Sequence, residues 1–415
     1  MLKTSYTYDI PINIDKVSSV KFLNDKILAG KRRGFLDYRI LITDSTTYSN
    51  VCAPIAGVLD YYRSQGMTFD ILYGSPNPYP DHTHFADPLN VEDYIGKIEL
   101  QYPLDKVWKF DSPETVNELL KSYIFTIRQS DIIERGVISS LEWCLNETMD
   151  NILQHAEVSH GYIMAQLHKT SKRFSVCVFD VGRGIYNSLK NSKHHPAAPL
   201  DAITLALQEK VTRDERAGQG NGLWGLSRLI TEADGLLRIS SAGATYQKEH
   251  DEIKTVLNGD FNLGKSLGTT LVDFQFDYSK SIDVTTALNG YYPTDFWLED
   301  LEINDEELEI NVGELSSGTG TRKAAEKFRN MIINLVLSDK KRVILNFNGV
   351  NLVSSSYADE LIGKIISKYG FVFFINNFHF KNLSVVNGAV INRSVQQRMA
   401  QTYYDSQIQD IADEF

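Results

Sequence analysis

Four short segments between residues 146 and 270 combine acidic, amide and glycine residues in a way that suits a nucleotide site. They cover residues 146–156, 180–184, 218–223 and 268–270. Carboxylates and amides can bind metal ions and waters, whereas glycines allow a backbone to approach a ligand closely. Each segment alone is a weak signal, but their order along the chain predicts a nucleotide-binding module.

The first segment is predicted to form a helix with one polar face. Glu147, Asn151 and His155 are each four residues apart, so their side chains share that face. The amide oxygen of Asn151 can bind Mg²⁺, which usually keeps several waters and borrows phosphate oxygens from its substrate. Glu147 can orient or deprotonate an attacking nucleophile, and we interpret His155 as structural. The competing interpretation is a solvated polar stripe.

The second and fourth segments adjoin predicted strands. Asp180 follows the apolar strand 173–179, and its carboxylate can accept a hydrogen bond from the amino group of adenine. Gly182 and Gly184 leave room for the ring because they carry no Cβ. Thr269 enters a strand with alternating apolar residues, and its hydroxyl can support Asp180 or a bound water.

The third segment places alternating glycines before a predicted helix over residues 223–231. Free N–H groups and the positive end of the helix dipole would then face phosphates. No Gly-Lys-Ser/Thr follows and the Rossmann spacing is missing, so neither of those phosphate loops is present. The polar residues 211–216 could form a lid that closes on a nucleotide. The candidate binding residues here are Gly218, Gly220, Asn221, Gly222 and Leu223.

Two α/β units flank these segments. In the first, a strand over residues 38–43, a helix over 51–65 and a strand over 69–73 predict a parallel pair joined by a helical crossover. A diverged internal duplication would explain why the C-terminal region resembles it, although any two α/β units look alike at this level. The C-terminal elements are a helix over 321–337, a strand over 342–347, a helix over 358–369 and a strand over 371–375.

These elements predict an α/β protein of several domains, as expected for a chain of 415 residues. The predicted divisions are an α/β domain over 1–110, a nucleotide-binding domain over 111–280, an acidic linker over 281–304 and a second α/β domain over 305–415.

Composition excludes several classes of function. The net charge of −11 argues against a nucleic-acid partner, because binding phosphate backbones requires clustered Lys and Arg. No apolar run approaches the ~20 residues that span a bilayer, and the first residues lack the apolar core of a signal peptide. The three cysteines are isolated in the sequence and suggest neither a disulfide framework nor a zinc site. We therefore expect a cytoplasmic protein without a membrane anchor.

Taken in order, the four segments resemble the Bergerat ATP-binding fold, or GHKL superfamily, of gyrase, the large heat-shock chaperone, histidine kinases and mismatch-repair ATPases. The resemblance covers about residues 131–278 and implies an α+β sandwich that binds ATP and Mg²⁺. It implies a catalytic role for Glu147, a Mg²⁺ contact for Asn151 and adenine recognition by Asp180, with Thr269 near the base. Its two glycine boxes correspond to Gly182 and Gly184, then to Gly218, Gly220 and Gly222.

The C-terminal residues 346–356 are similar to the STAS domain of anti-sigma-factor antagonists, in which a Bergerat-fold kinase phosphorylates a loop serine. Ser356 is the nearest match to that phosphoacceptor and Ser355 the second. The usual Asp-Ser-Ser-Gly is replaced by Ser-Ser-Ser-Tyr, so a helix-capping role for Ser356 or Ser355 stays open. The N-terminal region resembles a more diverged STAS-like unit, with Ser45 and Ser49 in the matching loop.

Three functions remain open on these grounds. The first is a regulatory protein whose Mg-ATP site controls the contacts of STAS-like domains with protein partners. The presence of Glu147 predicts that this site hydrolyses ATP. The second is a protein-serine kinase acting on Ser356 or on a partner's serine, and the third is an ATP-sensing switch without catalysis. A histidine kinase is disfavoured because residues 127–134 contain no histidine. A homodimer stays open as well.

Overall fold

The chain forms two compact units in the computed structural model. It describes residues 7–43, 47–74, 79–190, 192–209, 211, 222–250, 252–259, 261, 263, 268–290, 301–304 and 306–413, with only the backbone of residues 79, 99, 100 and 402–413. Unit 1 comprises residues 1–123 and 139–293, and unit 2 comprises residues 124–138 and 294–415. Helices and parallel strands occur together in both units, which confirms the predicted α/β fold class.

Unit 1 begins with a three-stranded parallel sheet in the order β1-β2-β3. The parallel pairing of β2 with β3 confirms the predicted strand–helix–strand crossover. The elements are β1 (Tyr8–Ile12), α1 (Ser18–Arg32), β2 (Asp37–Ile42), α2 (Ser49–Arg63) and β3 (Thr68–Tyr73).

An eight-stranded sheet forms the rest of unit 1, in the order β10-β9-β8-β11-β7-β6-β5-β4. Its strand pairs are antiparallel apart from β4 with β5. The elements are α3 (Tyr79–His82), β4 (Leu89–Asn90), β5 (Val107–Phe110), α4 (Pro113–Ser130), α5 (Val137–His155), β6 (Gly161–His168), β7 (Arg173–Asp180), α6 (Gly184–Lys190), α7 (Pro199–Ala206), α8 (Gly222–Glu232), β8 (Leu236–Ser241), β9 (Ala244–Glu249), β10 (Glu252–Leu257), β11 (Thr270–Asp277) and α9 (Val284–Ala287).

Helix α2 joins the two sheets of unit 1 into one core. Gly57 allows close contact with β7, because a Cβ there would lie 2.6 Å from the ring of Phe179. The first turn of α2 is held from the other sheet, where the Oε1 atom of Gln166 accepts a hydrogen bond of 2.8 Å from the backbone N–H of Ser49. The regions predicted as residues 1–110 and as the nucleotide-binding domain therefore share one core.

Side chains of the central strands alternate between two covered faces of the eight-stranded sheet. Cys177 and Phe179 of β7 belong to the core around α2, as does Leu271 of β11. Val178 and Asp180 point to the opposite face, where they line a cavity. Because both faces are covered, the strands are nearly continuous buried runs and not half-polar ones.

Unit 2 contains a four-stranded sheet in the order β12-β13-β14-β15, in which β13, β14 and β15 are parallel. Its core lies between this sheet and the helices around it. The elements are β12 (Glu302–Asn304), β13 (Glu307–Asn311), α10 (Val312–Leu315), α11 (Arg322–Leu337), β14 (Arg342–Asn346), α12 (Ser355–Ala358), a π-helical turn (Asp359–Gly363), α13 (Lys364–Tyr369), α14 (Phe371–Asn377), β15 (Phe378–Lys381) and α15 (Val385–Asp413).

One predicted strand of unit 2 is wrong. Residues 371–375 are helical and belong to α14, while the strand that pairs with β14 is Phe378–Lys381. Gly370, with φ +89°, ends α13 and allows the chain to start a second helix. A short apolar run fits a strand or a helix equally well, and here Phe374 of the helix stacks on Phe378 of the strand.

Residues 124–138 are held in unit 2 by a buried polar network on α11. The side chain of Asn334 donates hydrogen bonds to the carbonyls of Arg128 and Asp131 and accepts one from the N–H of Ile133. Arg128 is fully buried and pairs with Asp339 at 2.6 Å. The sequence places this segment in the nucleotide-binding domain, whereas its packing groups it with unit 2.

No helix in the described part of the chain is long and apolar enough to span a membrane.

Replacing Asp339 with alanine is expected to destabilise unit 2 strongly, because it leaves the guanidinium of Arg128 buried without its ion pair. Removal of one partner from a buried pair typically costs about 3–5 kcal/mol. The measurement is the free energy of unfolding in urea. The matched control is Glu302→Ala, which breaks the more exposed pair with Lys341 and should cost about 1 kcal/mol or less. Equal losses of unfolding free energy in the two variants would contradict a stabilising role for the buried pair of Arg128 and Asp339.

Candidate functional site

A cavity of about 590 Å³ lies within unit 1, beside the polar face of α5. It contacts both predicted carboxylates as well as Asn151, and it is bounded by the sheet, by α5, by α6 and by the start of α8. The lining residues are Trp143, Glu147, Thr148, Asp150, Asn151, Ile152, Gln154, His155, Ala156, Val178, Asp180, Gly184, Ile185, Ser188, Leu189, Ala206, Glu209, Val211, Gly222, Leu223, Trp224, Thr270, Val272, Leu288 and Asn289.

Glu147 lies against the first residue of α8. A Cβ at Gly222 would be 2.6 Å from the Oε2 atom of Glu147, so only glycine fits there without a shift. Burial, together with the negative charge of Asp150, raises the pKa of Glu147 to about 7. A carboxyl with this pKa can accept or release a proton near neutral pH.

Asn151 carries an unsatisfied polar group in the same region. Its Nδ2 atom is buried and has no hydrogen-bond partner among the described residues. A Cβ at Gly222 would lie 3.2 Å from that atom. Buried polar atoms without a partner cost free energy, so this amide indicates a place for a ligand or a bound water.

Asp180 ends β7 with its carboxylate in the cavity and only 2% of the residue exposed. It accepts a hydrogen bond of 2.7 Å from the N–H of Gly182 and another from the hydroxyl of Thr270. Burial outweighs these two bonds and raises the pKa of Asp180 to about 7. A further hydrogen-bond donor from a ligand would therefore stabilise the ionised carboxylate of Asp180.

The structure brings Thr270, and not Thr269, to Asp180. Thr270 pairs with Asp180 across the β11–β7 ladder and lines the cavity. Thr269 is buried one residue earlier, and its carbonyl accepts a hydrogen bond of 2.9 Å from the hydroxyl of Ser241. The alternation of β11 was the available signal, since Thr270 and Val272 share one face of the strand.

The two glycines after Asp180 have different surroundings. Gly182 packs against the end of α5, because a Cβ there would lie 2.3 Å from the carbonyl oxygen of Ala156. Gly184 has φ +77°, starts α6 and lines the cavity. A substitution at Gly184 would strain the backbone, whereas one at Gly182 would separate two packed segments.

Part of the third segment lies outside the described residues. These residues are Gly218, Gly220 and Asn221. Residues 212–216 of the predicted lid and Ser45 of the N-terminal region also lie outside the described residues. The described end of the segment, Gly222 and Leu223, begins α8 and lines the cavity. Glu147, Asn151 and Gly222 are thus close together, although they come from two separate segments.

An aromatic end of the cavity was not predicted. Trp143 precedes Glu147 by one helical turn, so both side chains lie on one face of α5. Its ring packs against α8 at Gly225, where a Cβ would lie 2.3 Å away, and Trp224 and Leu288 complete this end. The four-residue spacing was the signal that could have identified Trp143.

In unit 2, the serine-rich loop begins α12, and its cap is Ser354. The hydroxyl of Ser354 accepts a hydrogen bond of 3.1 Å from the N–H of Tyr357 and lies 3.0 Å from the hydroxyl of Ser356. The alternative that Ser356 or Ser355 caps the helix is wrong, because the helix begins at Ser355 itself. Ser355 is exposed and Ser356 half-buried. In the N-terminal region, Ser49 is buried at the first position of α2.

Replacement of Asp180 by asparagine is expected to stabilise the unliganded protein at alkaline pH. The pKa of Asp180 in the folded protein is about 7, which is above the ordinary value of 3.8. The protonated carboxyl therefore contributes its full stability below the ordinary pKa, and this contribution is lost as the pH rises through the folded pKa. Asparagine cannot ionise, so the variant should gain a few kcal/mol over the wild type between about pH 5 and about pH 8, at about 1.4 kcal/mol per unit of pKa shift.

Urea unfolding at the two pH values measures this difference. Asp70→Asn removes an exposed carboxyl and is the control for the loss of one carboxylate. A wild type and an Asp180→Asn variant that respond equally to pH would contradict the burial of an ionisable group at this position.

Comparison with known families gives a match in unit 2. Residues 324–387 match the model of a STAS-like domain of unknown function (DUF4325). No curated protein matches the chain significantly. The match confirms the predicted similarity of the C-terminal region to STAS domains, and it covers α11, the serine loop and β15.

Proposed function

We propose that unit 1 binds ATP with Mg²⁺ in the cavity beside α5, and that the nucleotide state controls how the STAS-like domain contacts a protein partner. The observation that carries this proposal is the arrangement of one cavity. A buried carboxyl, Asp180, lies in its wall, and the pair of Glu147 and Asn151 lies beside the N-terminus of α8. The predicted GHKL resemblance supplies the expected chemistry for each position.

The adenine would lie at Asp180. The ionised carboxylate accepts the hydrogen bond of the exocyclic amino group, and the donor offsets part of the desolvation that raises the pKa of Asp180. Thr270 holds the carboxylate in place from the neighbouring strand. The apolar residues Val178 and Val272 on the same sheet face suit a flat ring.

The phosphates would lie between α5 and the start of α8. The backbone N–H groups at a helix start and its dipole attract anions, and Gly222 leaves them accessible beside Glu147. Within the described residues, no group of three or more His, Cys, Asp and Glu side chains is placed to hold a metal ion. Mg²⁺ would therefore be held by Asn151 together with the phosphates, which fits its usual reliance on substrate oxygens and water.

Glu147 would act on the nucleophile. With a pKa of about 7, its carboxylate can take a proton from water as the water oxygen attacks the γ-phosphorus. The bond from that phosphorus to the β–γ bridging oxygen breaks, and ADP and inorganic phosphate are released. Replacement by glutamine keeps the shape and removes the base. A non-catalytic nucleotide switch would not need this group.

A serine kinase is the second candidate, favoured by one observation in unit 2. Ser355 is exposed at the first position of α12, within the residues that match a STAS-like domain. Its hydroxyl, or that of Ser356, would replace water as the nucleophile and become a phosphoserine. The protein partner in the regulatory proposal would then respond to that added charge.

Glutamine at Glu147 is expected to lower phosphate release from γ-labelled ATP by about 10²–10⁴-fold while ATP binding persists, because a general base contributes about that factor. The measurement follows free phosphate and protein-bound label together in the full chain. Glu157→Gln removes an exposed carboxyl and should leave the rate unchanged. Protein-bound label that is stable in the wild type and lost in Ser355→Ala or Ser356→Ala would support the kinase instead. Tight binding of ATP without free phosphate and without protein-bound label would support the non-catalytic switch.

Adenosine is expected to bind more tightly as pH rises through about 7, because the ionised carboxylate of Asp180 accepts the hydrogen bond of the amino group more strongly than the protonated carboxyl does. The affinity should change by up to about tenfold per pH unit below that pKa. Calorimetric titration measures it, and adenosine has no phosphate to interact with Glu147. Inosine, which carries a carbonyl in place of the amino group, should lack this increase. The same pH dependence for both nucleosides would contradict adenine recognition by Asp180.

A further inference from the structure

The end of the eight-stranded sheet in unit 1 is an exposed strand with apolar side chains. All six residues of β10 are exposed, and Ile253 and Leu257 are 57% and 63% exposed. Among the described residues, β10 pairs with β9 and with no other strand. Natural edge strands are usually covered or protected against further pairing, so this edge indicates a binding surface.

The hydrogen-bonding pattern shows which backbone groups of β10 point away from β9. The N–H of Asn258 donates to the carbonyl of Gly243 at 2.8 Å, which marks that residue pair as a hydrogen-bonded one. Because such pairs alternate along an antiparallel ladder, the residues of β10 with even numbers bond to β9. The N–H and C=O groups of Ile253, Thr255 and Leu257 therefore point outward from the sheet.

We propose that β10 pairs antiparallel with β10 of a second copy of this chain, with Thr255 opposite Thr255 at the two-fold axis. In this register Ile253 faces Leu257 of the partner copy and Leu257 faces Ile253. All three outward-pointing residues then form hydrogen-bonded pairs, each with two main-chain hydrogen bonds. The exposed apolar side chains are matched with each other on one face of the joined sheet.

The symmetric register centred on Lys254 fits less well. A shift that centres the pair on Lys254 places two ammonium groups directly opposite each other, which is destabilising. In that register the backbone groups of Leu257 also face none of the described residues of β10 in the other copy. In the proposed register Lys254 faces Val256 of the other copy and retains Glu252, at 3.3 Å, on its own strand. Self-complementarity therefore favours a second copy as the occupant of this edge.

Light scattering of the full chain over a dilution series tests the proposal. The wild type should show a concentration-dependent mass that approaches twice the 47.0 kDa of one chain. Thr255→Pro removes an outward N–H and no hydrogen bond to β9, so the variant should fold and lose the dimer. A wild type that stays monomeric throughout, or a Thr255→Pro variant that dimerises like the wild type, would overturn the proposal.

Disulfide trapping tests the register independently. Directly opposite residues in a hydrogen-bonded pair have Cα atoms about 5.5 Å apart, which is within the range of a disulfide. Under mild oxidation Thr255→Cys should form a covalent dimer. Ile253→Cys should not, because Ile253 lies opposite Leu257 of the other copy, four residues along the strand from the Ile253 of that copy. The native Cys52, Cys144 and Cys177 are buried. Equal cross-linking of the two variants would exclude this register.

Discussion

Both faces of the central strands in the eight-stranded sheet are covered by packed side chains, and this burial restricts polar groups in unit 1 to positions where they have partners. Phe179 faces α2 and Val178 faces the cavity, so β7 has no solvated side. Asp273 is buried inside β11 with Arg238 and Asn50 as its partners, whereas the charged group of β7 lies where the strand ends. Asp180 occupies that position, between a backbone N–H and a threonine hydroxyl, and its raised pKa reflects the burial that the sheet imposes.

The sequence predicted those features that depend on local spacing. The common face of Glu147 and Asn151 follows from helical periodicity alone, and the parallel crossover around α2 follows from the order of its strands. Features that depend on distant partners were missed. Thr270 takes its position from strand pairing with β7, and residues 371–375 become a helix because β15 supplies the strand that β14 needs. Neither partner can be identified from a local pattern.

Unit 2 has an apolar core as well, but polar groups in its interior hold one of its segments. Asn334 binds backbone groups of residues 128–133, and the buried pair of Arg128 and Asp339 fixes the same segment from α11. Such contacts are weak in net stability but demanding in geometry, because each buried group requires its particular partner. They hold an inserted segment in one conformation within a STAS-like framework. Apolar packing alone would tolerate several arrangements.

The docking of α2 has a consequence for the synthesis of the protein on the ribosome. This helix is made early, yet the glutamine that binds its first turn and the phenylalanine that covers Gly57 are translated more than a hundred residues later. Until β6 and β7 emerge, one apolar side of α2 has nothing to pack against. The nascent N-terminal region therefore has to remain unaggregated while it waits for its own later strands, and a chaperone that shields apolar helices would act in that interval.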